Sequence, residues 1–400
     1  CKGRWHFLRA RSSMDVLTSA IVGGGVSGLA LALGLQRRFD RRGNPLFNLR
    51  IYERHDLRRA QGFGFLVQAD GCRALRRLGI DPLSPSMGLP LRQVQIFLND
   101  GSLVGEHPLD NTVAMERPTL LQALSQDLDP AVLRYGESVE GYVMEGARVI
   151  GLRTAGGGTT PLDLLIGADG ARSRCRELIE SPSPRCGGFA QVQEIVACVT
   201  EPAMAERLGT GFIKFMHPQG GLAVGLVPLP AGRVIWFLQF DSHRYRVPTS
   251  ADLRTFVLTL LVEFPRWLQD FLYETDPTAR IHHWRPLDLD PPTQLVGPNL
   301  ALVGDAAHPM LPFTSQGVNL ALADAELLAA LLTGPLERWG LQRVLHAYQQ
   351  GRQTVRPPFV AMGRAMASDF LVSAQQAAIR PPDRKSTRLN SSHLVISYAV

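Results

Sequence analysis

The sequence predicts an α/β fold in which a Rossmann-like dinucleotide-binding unit, made of discontinuous segments, carries an inserted β-rich unit. Three observations predict it. Residues 16–22 form an apolar, β-branched run that stops at glycines; helical periodicity over 28–39 and a second apolar run at 49–52 complete a βαβ unit. Two further short apolar runs, 162–168 and 300–303, end in Asp169-Gly170 and Gly304-Asp305. Beyond the Ser-Pro repeat at 181–184 the texture changes to closely spaced strand-like runs.

The remaining elements follow in chain order. Residues 37–48 are basic and turn-rich, an expected loop. Residues 69–78 have helical spacing and stop at Gly79. Residues 94–98 and 103–107 flank Asn99-Asp100-Gly101, a hairpin signal. Residues 117–128 are expected to be helical, and 139–154 to hold two short strands. The inserted unit has strand-like runs at 190–200, 211–216, 222–229 and 234–240. In the last of these both faces are apolar, as in a sheet covered on both sides. Thr249-Ser250-Ala251-Asp252 resembles a capping box for a helix reaching about Phe264. Residues 318–332 read as a strong helix, with two more helical segments after it. The expected units are 14–180 and 296–380 for the nucleotide-binding part and 181–295 for the insertion. The ends, 1–13 and 383–400, are expected to be non-native or disordered.

Composition excludes several functions. The chain has 400 residues and a formal net charge of +6. Residues 1–13 supply four of those charges through Lys2, Arg4, Arg9 and Arg11, and 383–400 supply the other two, so 14–382 sum to zero. Net charge therefore gives no support to a nucleic-acid or membrane-surface partner. Five scattered Cys and ten His show no metal spacing, and the cysteines suit reduced thiols in a cytoplasmic protein. No apolar run reaches transmembrane length.

The chemistry lies in three motifs. Gly23-Gly24-Gly25-Val26-Ser27-Gly28 is a GxGxxG between a strand and a helix. Gly23 permits the tight turn, Gly25 the approach of a diphosphate, and Gly28 helix-on-strand packing. The helix N-terminus then faces the diphosphate charge. Glu53, followed by Arg54, ends the next strand, where a carboxylate accepts hydrogen bonds from ribose hydroxyls. The second motif runs from Asp163 through Asp169-Gly170 to Arg172-Ser173. The third runs from Ala301 through Gly304-Asp305 and His308-Pro309 to Pro312, Gly317, Val318 and Asn319. Its Asp stands at a strand's carboxyl end, where ligands bind in α/β sheets.

In this order, the three motifs resemble the family of FAD-dependent aromatic hydroxylases, flavoprotein monooxygenases with the p-hydroxybenzoate hydroxylase fold. The resemblance covers nearly all of 16–375. It implies a Rossmann-like FAD-binding domain with an inserted β-rich substrate domain, and non-covalent FAD. NADPH or NADH is then the reductant, and O2 and a small organic, aromatic or polycyclic molecule are the other substrates. It assigns Asp169 to the motif associated with both FAD and NAD(P)H, Asp305 to the ribityl chain, and Arg117 to the pyrophosphate and ribityl region. It also sets Gln61-Gly62-Phe63-Gly64 beside the flavin ring, where Gly62, Gly64 and Gly317 supply flexible backbone compatible with gating. The helix from Val318 would point its N-terminus at the anionic part of reduced flavin, with close backbone donors at Gly317 and Asn319. Pro309 and Pro312 would shape the wall. With no second strand–GxGxxG–helix, no separate nicotinamide domain is expected.

His217, His282, His283, Tyr245 and Arg233 are candidates for a substrate pocket, and none is assigned as a catalytic base, because the flavin carries the oxygen chemistry. Three other functions fit the scaffold: a flavin-dependent reductase such as a prenyl-chain reductase, a flavin halogenase, and a non-catalytic FAD-binding protein. The halogenase lacks a WxWxIP motif, and Lys214, the one lysine in 14–382, is its sole candidate lysine.

Overall fold

The computed structural model describes residues 16–36, 46–56, 63–180, 186–248, 252–276 and 279–372. Both chain ends, most of the 37–48 loop, Gln61, Gly62, the Ser-Pro repeat and the first three residues of the capping box lie outside the described residues.

Two sheets organise the chain. The first is wholly parallel and orders its strands Leu300–Leu302, Leu164–Gly167, Leu17–Val22, Phe47–Glu53 and Leu133–Tyr135. The three strands that end in the motifs are therefore adjacent, and their carboxyl ends share one edge. Helices Val26–Gln36 and Gly317–Thr333 pack against this sheet and against each other in the largest core cluster. The first is buried almost all round, which suits a helix enclosed on every side.

The second sheet is mixed and has eight strands: Ile281–Trp284, Val192–Thr200, Arg233–Asp241, Leu222–Leu229, Gly211–Met216, Gly88–Leu98, Leu103–Glu116 and Gly64–Val67. It draws strands from both sides of residue 181. Gly211–Met216 pairs in parallel with Gly88–Leu98, across more than a hundred residues of chain. Residues 64–116 thus share hydrogen bonds with the expected insertion.

Alternation divides Arg233–Asp241 as its two apolar faces imply. Val234, Trp236, Leu238 and Phe240 pack under helices Leu253–Leu260 and Arg266–Glu274, while Ile235 and Phe237 face the other way. Asp252 does cap the first of these helices, accepting from the Arg254 and Thr255 backbone N–H groups. That helix stops at Leu260 rather than near Phe264, and Pro265 starts a new one. Among the described residues no helix is long and apolar enough to cross a membrane.

Candidate functional site

The motif turns meet because glycines stand where backbone touches backbone. Gly23 has φ +111°, and a Cβ there would run into the Ala168 carbonyl within the second motif, just before Asp169. A Cβ on Gly28 would strike the Gly23 carbonyl and Ile21, so this glycine lets the helix sit on its strand. A Cβ on Gly304 would press on the Ser27 hydroxyl, which joins the third motif to the first. Gly25 differs: a Cβ there would meet no atom within 4 Å. Its surface is open, as a cradle for a bulky anion requires.

Two buried side chains fix the turns from behind. Arg176 donates from Nε to the Ala306 carbonyl (2.8 Å), and from its two other nitrogens to Asp305 O (2.8 Å) and Ala171 O (3.1 Å). It therefore staples the second motif to the third. Asp324, wholly buried, accepts from the Gly304 N–H at 2.9 Å, from His308 Nε2 at 2.5 Å and from Arg352 Nε at 2.5 Å. Burial works to raise the Asp324 carboxyl, but His308 and Arg352 outweigh it and hold it below the usual carboxylate range.

In front of the turns lies a cavity of about 570 Å3 that reaches from the parallel sheet to the mixed one. Gly25, Val26, Ser27 and Arg117 line one end, joined by Asp305, Pro312, Gly317 and Val318. The helix Gly317–Thr333 begins there without a side-chain cap, so its positive end and free N–H groups face the cavity. Arg117 lies over the Phe65 ring, 5.5 Å from its centroid, and its buried Nε has no partner. Burial pushes its guanidinium below the ordinary value, offset in part by Asp305 and Glu53. A partnerless buried donor, an open glycine and an uncapped helix start together form a donor set for a phosphate-bearing, polyhydroxylated ligand. The residues fit an FAD.

Other expected residues stand behind this wall. Glu53 accepts from the Gly24 and His55 N–H groups, each at 2.8 Å, and so braces the glycine turn. Arg54, exposed, donates to the half-buried His55 ring at 3.2 Å. Asp169 accepts from the Ser173 hydroxyl and from the Arg174 and Cys175 N–H groups, so its carboxylate caps its own turn, while Ala168 and Gly170 reach the wall. The Asn319 side chain straps the helix to the strand beside it, accepting from Gln68 N and donating to Leu66 O and Ser315 O. Gly64, expected as flexible backbone, is paired with Glu116 in a strand and lies against Ile235.

The far end of the cavity is an apolar chamber on the inner face of the mixed sheet, walled by Val196, Phe212, Val227, Ile235 and Phe237. Of the five substrate-pocket candidates, His282 lines it. The others are engaged away from its wall: His217 with Glu263 at 2.8 Å, His283 with Gln193 at 2.7 Å, Arg233 in an ion pair with Glu116, and Tyr245 in the core behind the sheet. Lys214 is not on the wall either; its Nζ donates to Gln239 Oε1 at 2.8 Å. A lysine so placed does not offer its amine to the cavity. Among the described residues no group of three His, Cys, Asp or Glu side chains could hold a metal ion.

Sequence reasoning missed Arg176, Asp324 and Glu194, which also lines the chamber. Asp324 had one signal: a carboxylate interrupting an otherwise apolar helix.

Comparison with known proteins agrees with this geometry. A family model described as FAD binding domain matches residues 14–361. An aurachin C monooxygenase/isomerase of Stigmatella aurantiaca is 31% identical over 359 residues, 86% of this chain and 87% of the relative. A 3-amino-4-hydroxybenzoate 2-monooxygenase of Streptomyces cremeus is 26% identical over 78% of each chain. The crystal structure of Klebsiella pneumoniae HpxO, complexed with FAD and uric acid, superposes with a TM-score of 0.77 at 21% identity over 90% of each chain, a likeness of fold.

Proposed function

The chain belongs to the FAD-binding-domain family of aromatic-hydroxylase-type flavoprotein monooxygenases, and on that footing we propose that it uses NADPH or NADH and O2 to insert one oxygen atom into a small aromatic or polycyclic molecule held in the apolar chamber. The observation that carries this reading is one continuous cavity, polar at the motif turns and apolar on the mixed sheet. Its volume falls within the usual range of small-molecule sites.

Bound at the polar end, FAD would supply the redox and oxygen-transfer chemistry. The chain's residues bind and orient. The Gly25–Ser27 turn and its helix receive the diphosphate, and Glu53 the adenosine ribose, through lone pairs not used by Gly24 and His55. Asp305 takes ribityl hydroxyls, and Arg117 answers the phosphate charge. The uncapped start of Gly317–Thr333 stabilises negative charge on the reduced ring. Asp169 acts by shaping its turn, and Arg54 has no ligand-directed contact to support more than a flanking role. Phe212, Ile235 and Phe237 keep water from the reacting face.

We further propose a two-unit division in which residues 64–116 go with the substrate-binding layer, because that segment shares the eight-stranded sheet. The test of the whole reading is purification with FAD that acid releases, followed by a screen for aromatic compounds that accelerate NAD(P)H oxidation. Protein that takes up no flavin on reconstitution would refute it.

A further inference from the structure

A polar chain crosses the otherwise apolar inner face of the mixed sheet. By strand alternation Glu194 shares a face with Val196, Gln239 with Phe237, and Lys214 with Phe212, all turned toward the chamber side. The three are 8%, 0% and 2% exposed. Lys214 Nζ donates to Gln239 Oε1 at 2.8 Å, and Gln239 Nε2 donates to Glu194 Oε1 at 2.7 Å. The direction follows from the groups: an ammonium only donates, an amide accepts at one end and donates at the other, and a carboxylate accepts. Burial raises the Glu194 carboxyl, opposed by Gln239 and Lys214. Burial likewise pulls the Lys214 ammonium down to about 7, opposed by Glu194.

Glu194 is the member of this chain that reaches the cavity. Its Oε1 is taken by Gln239, while Oε2 accepts from no described residue. A carboxylate this buried with an unused oxygen is costly to keep unless something hydrogen-bonds to it. Beyond Lys214, the described chamber wall at this end presents no opposite charge to it. His282, the other titratable group at this end, is held toward its neutral form by burial and by Arg280. Arg117 and Asp305 belong to the cofactor end.

We propose that Glu194 determines specificity in the chamber: it accepts a hydrogen bond from an N–H or O–H group on an otherwise apolar aromatic substrate, and it repels substrates that carry a carboxylate there. Gln239 and Lys214 orient it and supply its countercharge from behind the wall. The inference rests on reading the chamber as the substrate site of the monooxygenase.

Calorimetric titration of the FAD-loaded protein with three probes at pH 7 tests it: 2-naphthol, its methyl ether 2-methoxynaphthalene, and 2-naphthoate. Wild-type protein should bind 2-naphthol about tenfold or more tighter than the ether, as a hydrogen bond to a charged group implies, and 2-naphthoate most weakly. In Glu194→Gln the gap between naphthol and ether should shrink to about threefold or less, and 2-naphthoate should tighten by about tenfold, on the same scale. A gain of binding cannot come from a damaged fold, and a merely structural network would not produce it. Equal wild-type affinities for naphthol and ether, no binding of naphthol, or unchanged naphthoate affinity in a folded Glu194→Gln variant overturns the proposal. If the variant does not fold, the wild-type series decides alone. None of these readouts depends on turnover, so the proposal can fail while substrate-stimulated NAD(P)H oxidation still stands. Protein that binds the probes but no flavin would sink the cofactor reading instead.

Discussion

Replacing Asp324 with Asn removes the charge on which the third motif is mounted while keeping the side chain's shape. The wild-type carboxylate is 0% exposed and takes three hydrogen bonds, two of them from His308 and Arg352. Breaking a buried ion pair by neutralising one partner costs about 3–5 kcal/mol, because the other charge stays buried. With an unfolding entropy of about 2.1 cal/mol/K per residue, a chain of this length loses only about 1.2 °C per kcal/mol, so Tm should fall by about 4–6 °C. The sign with pH is also fixed. The folded carboxyl is held below its ordinary value, so its contribution is complete above the usual carboxylate range and is lost as the pH falls through the folded value. Asn mimics the protonated acid, so the gap between the two proteins should be full at pH 7 and narrow in acid. Scanning calorimetry of the flavin-free proteins over a pH series measures both. A Tm within about 2 °C of wild type at pH 7 would refute the assigned energetics, as would a gap that does not change with pH.

Asp305→Ala should weaken FAD binding about ten- to a hundredfold through loss of charge-assisted hydrogen bonds of about 1.5–3 kcal/mol, read by flavin-fluorescence titration; unchanged affinity in folded protein would remove its ribityl role. Arg176→Met strips the staple between the second and third motifs, leaves three carbonyls short of a donor, and should cost about 3 kcal/mol or more in thermal or denaturant unfolding. Gly23→Ala drives a methyl group into the Ala168 carbonyl at a positive φ, and should yield protein with no bound flavin by absorbance. Anaerobic stopped-flow reduction of the bound flavin by NAD(P)H should be faster with an active substrate present, and equal rates would eliminate coupling between substrate binding and reduction.

The strand–glycine–helix start and the carboxyl-end aspartates were legible because their signals are local: period, glycine spacing and a charge at the end of an apolar run. Gly23 and Gly28 each announce a close backbone approach that a Cβ would block, and Gly25 leaves open surface between them. The supports behind the site were not legible. Arg176 lies 129 residues from Asp305, and in sequence resembles an ordinary surface arginine. Asn319 has the position of a ligand donor, yet its side chain is spent on Gln68 and Leu66, some 250 residues earlier. The mixed sheet hid for the same reason. The parallel pairing of Gly211–Met216 with Gly88–Leu98 leaves no local mark, so a boundary drawn at the Ser-Pro repeat separated strands that are neighbours in space. Glu194 could not be distinguished in an apolar strand until Lys214 and Gln239 were seen behind it.

The central claim is that a cofactor held at the motif turns delivers one atom of dioxygen to a substrate in the apolar chamber. Turnover under isotopically labelled O2, with NAD(P)H and the aromatic compound that most accelerates its oxidation, tests that claim by product mass. The account predicts a product that carries one labelled oxygen atom per molecule. A product that is reduced rather than oxygenated would contradict it, as would labelled oxygen found only in hydrogen peroxide or product oxygen drawn from unlabelled water.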